Sequence, residues 1–198
     1  MPTLKEVEFY LTGLWLLFKQ DPKGFAYLDL SDRGMMRSFF AILWALPAIL
    51  ISFVWWRLLF LQTEPELPGG AGVFFFRLSI IEGLNWMLPL VMVGLLCWIA
   101  GLGAKFSSLI VVANWLTLPI SYCYGALILI MMLLPGLSGL VALMWLILML
   151  TLIAALFRIL RMVLGDHTLT IATTTMVLLV PTMIISEMLE RYLGVFPG

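Results

Sequence analysis

The chain has 198 residues, of which 63% are hydrophobic and 11% charged, with a mean hydropathy of +1.12. Soluble domains run roughly 45–50% apolar and about 25% charged, so a soluble globular enzyme and a disordered chain are both excluded. Lysine plus arginine and aspartate plus glutamate number 11 each, so there is no net charge to draw nucleic acid, and none is expected as a partner.

What remains is an all-α, polytopic membrane protein whose first partner is the lipid bilayer. In chain order, the first element precedes any span. Thr3-Leu4-Lys5-Glu6 matches a capping box, with the threonine hydroxyl on an early backbone N–H and the glutamate reaching back. Leu4, Val7, Leu11, Leu14, Trp15 and Phe18 follow near helical spacing, and Lys5, Glu8, Thr12 and Lys19 fall largely elsewhere on the wheel. Asp21-Pro22 stops the helix. Its length and charges argue against crossing the membrane. Two compatible readings are an amphipathic interfacial helix, with Trp15, Phe18 and Lys19 at headgroup level, and a helix packed on the cytoplasmic side of the bundle. Residues 22–37 are a charged connector in which Ser31 or Asp32 can cap the next helix. Residues 1–37 thus form a cytoplasmic segment.

A membrane crossing takes about 20 mostly apolar residues. Five segments qualify, over about residues 38–61, 77–104, 108–133, 140–157 and 168–186. The third and fourth come from one uncharged run, residues 106–157, which is too long for a single span. Leu134-Pro135-Gly136-Leu137-Ser138-Gly139 breaks it into a hairpin. Residues 191–198 are left as a short external tail. Alternation of period 2 is absent, which argues against a β-barrel. Cys97 and Cys123 sit in apolar runs and read as small buried hydrophobes.

Orientation follows from the basic residues. Lys5, Lys19, Lys23, Arg33, Arg37, Lys105, Arg158 and Arg161 fall on one side, and Arg57, Arg77 and Arg191 on the other. Eight against three puts the N-terminus in the cytoplasm and the C-terminus outside. The loop from Gln62 to Gly72, with Glu64, Pro65, Glu66 and Pro68 and no base, suits an external position.

Ionisable and amide groups within spans mark function or tight pairing. The candidates are Arg57, Arg77, Glu82, Asn85 and Asn114. Glu82 and Asn85 share a helix face at i, i+3. One reading makes Glu82 a proton or cation site. The preferred one pairs it with Arg57 or Arg77 at the outer boundary, or leaves it wetted there. Asn114 reads as interhelical glue. Pro47, Pro89, Pro119 and Pro181 kink four spans, as in transporters with broken helices or in statically bent bundles. The fifth span is rich in threonine, whose hydroxyl can return to a carbonyl one turn back. In Gly165-Asp166-His167, the glycine resembles a C-cap, the aspartate a following N-cap, and the lone histidine a solvated loop residue. No catalytic or cofactor motif is present in a plausible context, so neither enzymatic activity nor a cofactor or metal is expected.

Two further stretches carry a family resemblance. Asn114-Trp115-Leu116-Thr117-Leu118-Pro119 is a span with a proline after small or polar residues, and Phe157 to His167 is a short basic turn with glycine between the last two spans. Together with a polar N-terminal segment ahead of five spans, they resemble the Yip family of integral membrane proteins. The resemblance implies a non-enzymatic role in organising or assisting membrane proteins or lipids, with another membrane protein or a second copy as partner. Eukaryotic members assist vesicle trafficking with small GTPases, whereas the N-terminal segment here is short. Compact length and short loops point to a bacterial inner membrane. The alternative is a small transporter or channel for a cation or small solute, using Glu82, Asn85, Asn114 and the threonine-rich span. What separates the two is whether these polar groups converge on one cavity.

Overall fold

Residues 2–63 and 69–196 are described by a computed structural model. Among them run seven α-helices: α1 (Leu4–Phe18), α2 (Asp32–Ser38), α3 (Ala41–Thr63), α4 (Gly70–Ile99), α5 (Phe106–Leu133), α6 (Ser138–Leu164) and α7 (Thr168–Tyr192). No strand occurs among the described residues. Five helical segments, α2–α3 together and α4 to α7 singly, are long and apolar enough to cross a membrane, which fits a multi-pass integral membrane protein. Glu64, Pro65, Glu66 and Pro68 of the expected external loop lie outside the described residues.

Helix ends follow backbone breaks rather than charges. A charge closes an apolar window but does not stop a helix, so three helices outrun the spans read from composition. Helix α4 starts at Gly70, after Gly69 in the left-handed region at φ +90°, and not at residue 77. Helix α6 continues through Arg158 and Arg161 to Leu164, where Gly165 at φ +88° ends it. Helix α7 continues to Tyr192. The turn Pro135–Leu137 divides α5 from α6 where the Pro-Gly signal lies.

The N-terminal capping box forms: the Thr3 N–H donates to the Glu6 carboxylate at 2.7 Å, and the Glu6 N–H donates to the Thr3 hydroxyl. Val7, Tyr10, Leu14 and Leu17, one helical stripe, are buried and pack in the same core as residues of α3, α5 and α6. The Tyr10 and Trp115 rings stand 4.6 Å apart. The expected apolar face is therefore divided: Val7 and Leu14 point into the bundle, while Leu4 and Trp15 stay exposed at 59% and 56%. Tyr10 and Leu17, absent from that face as read, complete the inner stripe. Lys19 Nζ lies 4.7 Å over the Trp15 ring, and Arg158 at the end of α6 lies 5.8 Å over Phe18.

Between α1 and α2 the chain makes a 3-10 turn, Pro22–Tyr27, capped by Asp21. This turn lies tight on α1. A Cβ at Gly13 would stand 2.7 Å from the Tyr27 Cβ and 2.8 Å from the Gly24 carbonyl oxygen. Ser31 caps α2 by accepting from the Gly34 N–H at 3.1 Å.

Helix α5 occupies the centre, against α1, α2, α3, α4 and α6, and α4 packs chiefly on α7. Gly125 of α5 lets α3 come close, since a Cβ there would sit 3.3 Å from that of Ala48. Small residues serve this purpose between spanning helices, where packing rather than hydrophobic burial drives association. After α7 the chain hooks back through Gly194 at φ +62°. The hook buries Val195 completely in the core that holds Phe60 and Phe74.

Two outcomes follow. Gly13→Ala should lower stability by about 1–3 kcal/mol through overpacking against the 3-10 turn. Gly72→Ala should not, because nothing lies within 4 Å of its Cβ position. Thermal unfolding of the purified variants in detergent measures both. The second outcome concerns Glu6. The Thr3 backbone N–H, and after it the Arg37 guanidinium at 2.6 Å, hold its carboxyl below the usual glutamate range. A carboxyl depressed in the folded state stabilises above its unfolded pKa, and that contribution fades as pH falls through the folded value. Docking of α1 should therefore loosen on acidification below the ordinary glutamate range. Glu6→Gln should lack that acid step, as read by hydrogen exchange of residues 4–18.

Candidate functional site

An amide inside an apolar bundle needs partners, because leaving its hydrogen bonds unmade costs more than making them gains. Asn114, on the third turn of α5 and 1% exposed, has two. Its oxygen accepts from Trp86 Nε1 of α4 at 3.1 Å, and its Nδ2 donates to Ser38 Oγ of α2 at 2.8 Å. Ser38, itself fully buried, donates to the Met35 carbonyl at 2.7 Å. Asn114 thus joins three helices.

Beside this junction lies a half-open cavity of about 210 Å³ lined by α4, α5, α6 and α7. Its polar lining is Glu82 and Asn85 from α4, Asn114 and Thr117 from α5, and Thr182 from α7. Leucines from all four helices, among them Leu90, Leu116, Leu152 and Leu178, make up much of the rest. With α4 beginning at Gly70, Glu82 sits about 18 Å along that helix, close to its midpoint. That is deeper than a span starting at residue 77 would put it.

A second hydrogen-bonded chain leaves the cavity toward the end of α7. Asn85 Nδ2 donates to Ser186 Oγ at 3.1 Å, and Ser186 Oγ donates to the Glu190 carboxylate at 3.0 Å. The Asn85 side-chain oxygen is buried and accepts no hydrogen bond. Thr182 donates to the Leu179 carbonyl at 2.7 Å and Thr117 to the Ala113 carbonyl at 3.0 Å.

Of the five polar residues singled out in the sequence, Glu82, Asn85 and Asn114 come together at this cavity. Arg57 and Arg77 do not line it. The Arg57 guanidinium lies 5.0 Å over the Phe74 ring, and Arg77 Nη1 donates to the Leu193 carbonyl at the end of α7. The expected pairing of Glu82 with either arginine is not formed. Arg77 lies more than one helical turn from Glu82 along α4, and its charge answers the carbonyl end of α7, where a cation is favoured. Glu82 takes part in none of the hydrogen bonds or ion pairs among the described residues.

Away from the cavity, Thr174 and Thr175 return their hydroxyls to Thr170 and Ile171, the expected local satisfaction. Asp166 does not cap α7. Its carboxylate accepts from Arg161 Nε at 2.6 Å, and His167 takes the N-cap position without a side-chain hydrogen bond. No group of three histidine, cysteine or acidic residues able to hold a metal occurs among the described residues.

Ser38, Trp86, Ser186 and Glu190 escaped the sequence reading. Trp86 is one of eight tryptophans spread along the chain, and Ser38 opens the first expected span. A signal did exist for the other pair, since Ser186 and Glu190 lie at i, i+4 on one face of α7. No protein-family model, curated protein or solved structure matches the chain.

Asn114→Leu should lower stability by about 1–3 kcal/mol, because it leaves the Trp86 N–H and the Ser38 hydroxyl without their partner. Adding Trp86→Phe should recover part of that loss, since a missing pair costs less than a buried orphan. Equilibrium unfolding of the single and double variants measures the coupling.

Proposed function

We propose that the protein binds a small polar solute within the bilayer and passes it across, as a small transporter or channel without enzymatic activity. One observation carries this reading: Glu82, Asn85 and Asn114 converge, with Thr117 and Thr182, on a single cavity between four helices. Polar groups used only as glue need to meet each other. Here Glu82 lines the cavity and meets none of the others. Ionisable groups at such depth are costly and typically line solute or ion pathways. The prolines at residues 89, 119 and 181 belong to the helices around the cavity, where each removes one backbone N–H from the helix ladder.

The second reading is a Yip-like organiser of membrane proteins or lipids. It is supported by five long apolar helices behind an N-terminal helix, and by the exposed Leu4, Phe9 and Trp15 on that helix. These side chains suit an interfacial position, in which α1 lies along the lipid surface while its inner stripe holds the bundle. Either role suits a bacterial inner membrane with the N-terminus inside. The eight-to-three distribution of basic residues supports that orientation.

Reconstitution into liposomes with a panel of small solutes and cations tests the first reading. Wild type should give a saturable flux, and Glu82→Gln should abolish it while leaving the unfolding temperature within a few degrees. A Glu82→Gln protein with full flux would remove the carboxylate from the pathway and favour the organiser. For topology, a reporter fused after Gly198 should behave as external. Cytoplasmic activity from that fusion would require an even number of crossings, with the Pro135–Leu137 turn as the first place to look.

A further inference from the structure

A second cavity, a groove of about 420 Å³ open on one side, lies between α2, α4 and α5. Its lining is wholly apolar and includes Met36 from α2, Met87, Val91 and Gly94 from α4, and Phe106 and Ile110 from α5. It meets the polar cavity only at Leu90, which lines both. The helix ends fix its depth. Phe106 is the first residue of α5, and Gly94 lies about 8 Å before the end of α4. From that level the groove runs inward to Met87, about 10 Å further along α4. Its floor therefore lies in the apolar part of the spans, and its mouth near the turn Gly103–Lys105 that joins α4 to α5.

The mouth carries charge. Ser107 of α5 donates to the Asp32 carboxylate of α2 at 2.5 Å, which ties the starts of these two helices together. Arg33 follows Asp32 and stands one turn before Met36 on the same side of α2. Lys105 directly precedes Phe106. Both cations are exposed, and neither side chain makes a hydrogen bond or ion pair among the described residues. Two cations stand beside one carboxylate that already holds a hydroxyl, so the mouth is positive.

An apolar slot within the hydrocarbon, with unpaired cations where the chain leaves it, suits an occupant with an alkyl chain at one end and an anion at the other. A spanning partner helix is a poor fit, since it needs a face about 30 Å long and the slot is about a third of that. The methionines in the lining are unbranched and adapt to a mobile chain. The long stems of Arg33 and Lys105 let their heads stay at headgroup level.

We propose that this groove binds an anionic phospholipid, with one acyl chain lying between α2, α4 and α5 and its phosphate between Arg33 and Lys105. The site is separate from the polar cavity and does not depend on whether that cavity passes a solute. Selection follows from the headgroup. A choline headgroup brings its own cation toward Arg33 and Lys105, whereas a glycerol headgroup leaves the phosphate charge uncompensated.

The test is native mass spectrometry of the full chain in a non-ionic detergent, titrated with phosphatidylglycerol and phosphatidylcholine of equal chains. Wild type should prefer phosphatidylglycerol by about tenfold or more, since each cation near an anionic headgroup is worth about fivefold. Arg33→Gln and Lys105→Gln should each cut that preference several-fold, and the double variant should bring it near one. Arg158→Gln removes a cation at the same end of the bundle but over Phe18, outside the groove, and should leave the ratio unchanged. Val91→Trp, at a position 62% exposed where no core packing is lost, should fill the slot and weaken both lipids alike. Glycerol phosphate, a headgroup without chains, should not displace the lipid even in large excess. Equal affinities in the wild type would overturn the headgroup assignment. So would an Arg158→Gln loss as large as that of Arg33→Gln, the mark of a diffuse surface field. Unchanged binding in Val91→Trp would overturn the placement of the chain. Displacement by glycerol phosphate would make the mouth a site for free anions, and a lipid-free dimer broken by Val91→Trp would give the groove to a second copy; either result defeats the proposal.

Discussion

Polar groups inside a bundle that faces lipid must find their partners within the protein, and Asn114 is where this constraint acts most strongly. Its amide has a fixed donor end and a fixed acceptor end. One is met by Ser38 from α2 and the other by Trp86 from α4. Shifting α5 by one residue along its axis, about 1.5 Å with a 100° turn, would break both bonds. The apolar contacts around it have no such demand, because leucine against leucine tolerates sliding. The register of α2, α4 and α5 is therefore set by one side chain, and the position of the adjoining cavity follows from that register.

Both ends of the bundle are closed in ways that keep the junction in place. On the N-terminal side the α1 stripe of Val7, Tyr10, Leu14 and Leu17 covers α5, with Tyr10 against Trp115, the residue next to Asn114. At the other end the hook after α7 buries Val195, and Arg77 holds the Leu193 carbonyl. Arg77 stands on α4 and Leu193 just beyond α7, so this contact fixes the pair of helices that carries Glu82, Asn85, Thr182 and Ser186. Helix α6 is the least constrained. Much of its first half is exposed, and it packs chiefly on α5 and α7. Its Leu152 and Leu156 nevertheless complete the apolar side of the cavity.

The helices were legible in the sequence because their signals are local. Runs of apolar residues, the capping box at Thr3, the cap at Ser31 and the Pro135-Gly136 break each act within a few residues. Helix ends were less legible, since composition sees Arg77 and Arg158 as boundaries while the backbone ends at Gly69 and Gly165. Which groups meet was legible only in part. Glu82 and Asn85 share a face by spacing alone, but the partner of each polar group lies from 28 to 101 residues away in three of the bonds that define the site. No local pattern contains that information. The arginines misled for the same reason: charge complementarity suggested Glu82, whereas packing brought Arg57 to an aromatic ring and Arg77 to a carbonyl.

That sorting of charges has a chemical consequence. Had either arginine reached Glu82, the carboxylate would be a closed structural pair, since a bidentate guanidinium fills most of its accepting capacity. With both arginines engaged elsewhere, the one acidic group beside the cavity keeps its accepting positions open to it. The neighbouring hydroxyls and amides could have supplied donors to Glu82 instead. The bonds they make run elsewhere, to a carbonyl one helical turn back or to a partner on another helix. Helical threonines do this by default, so two of the acceptors arise from ordinary local chemistry. Asn85 is different, because its orientation depends on Ser186, and that of Ser186 on Glu190. The hydrogen bonds around the cavity thus have one part built from helix geometry and another that ends on an ionisable group near the end of α7.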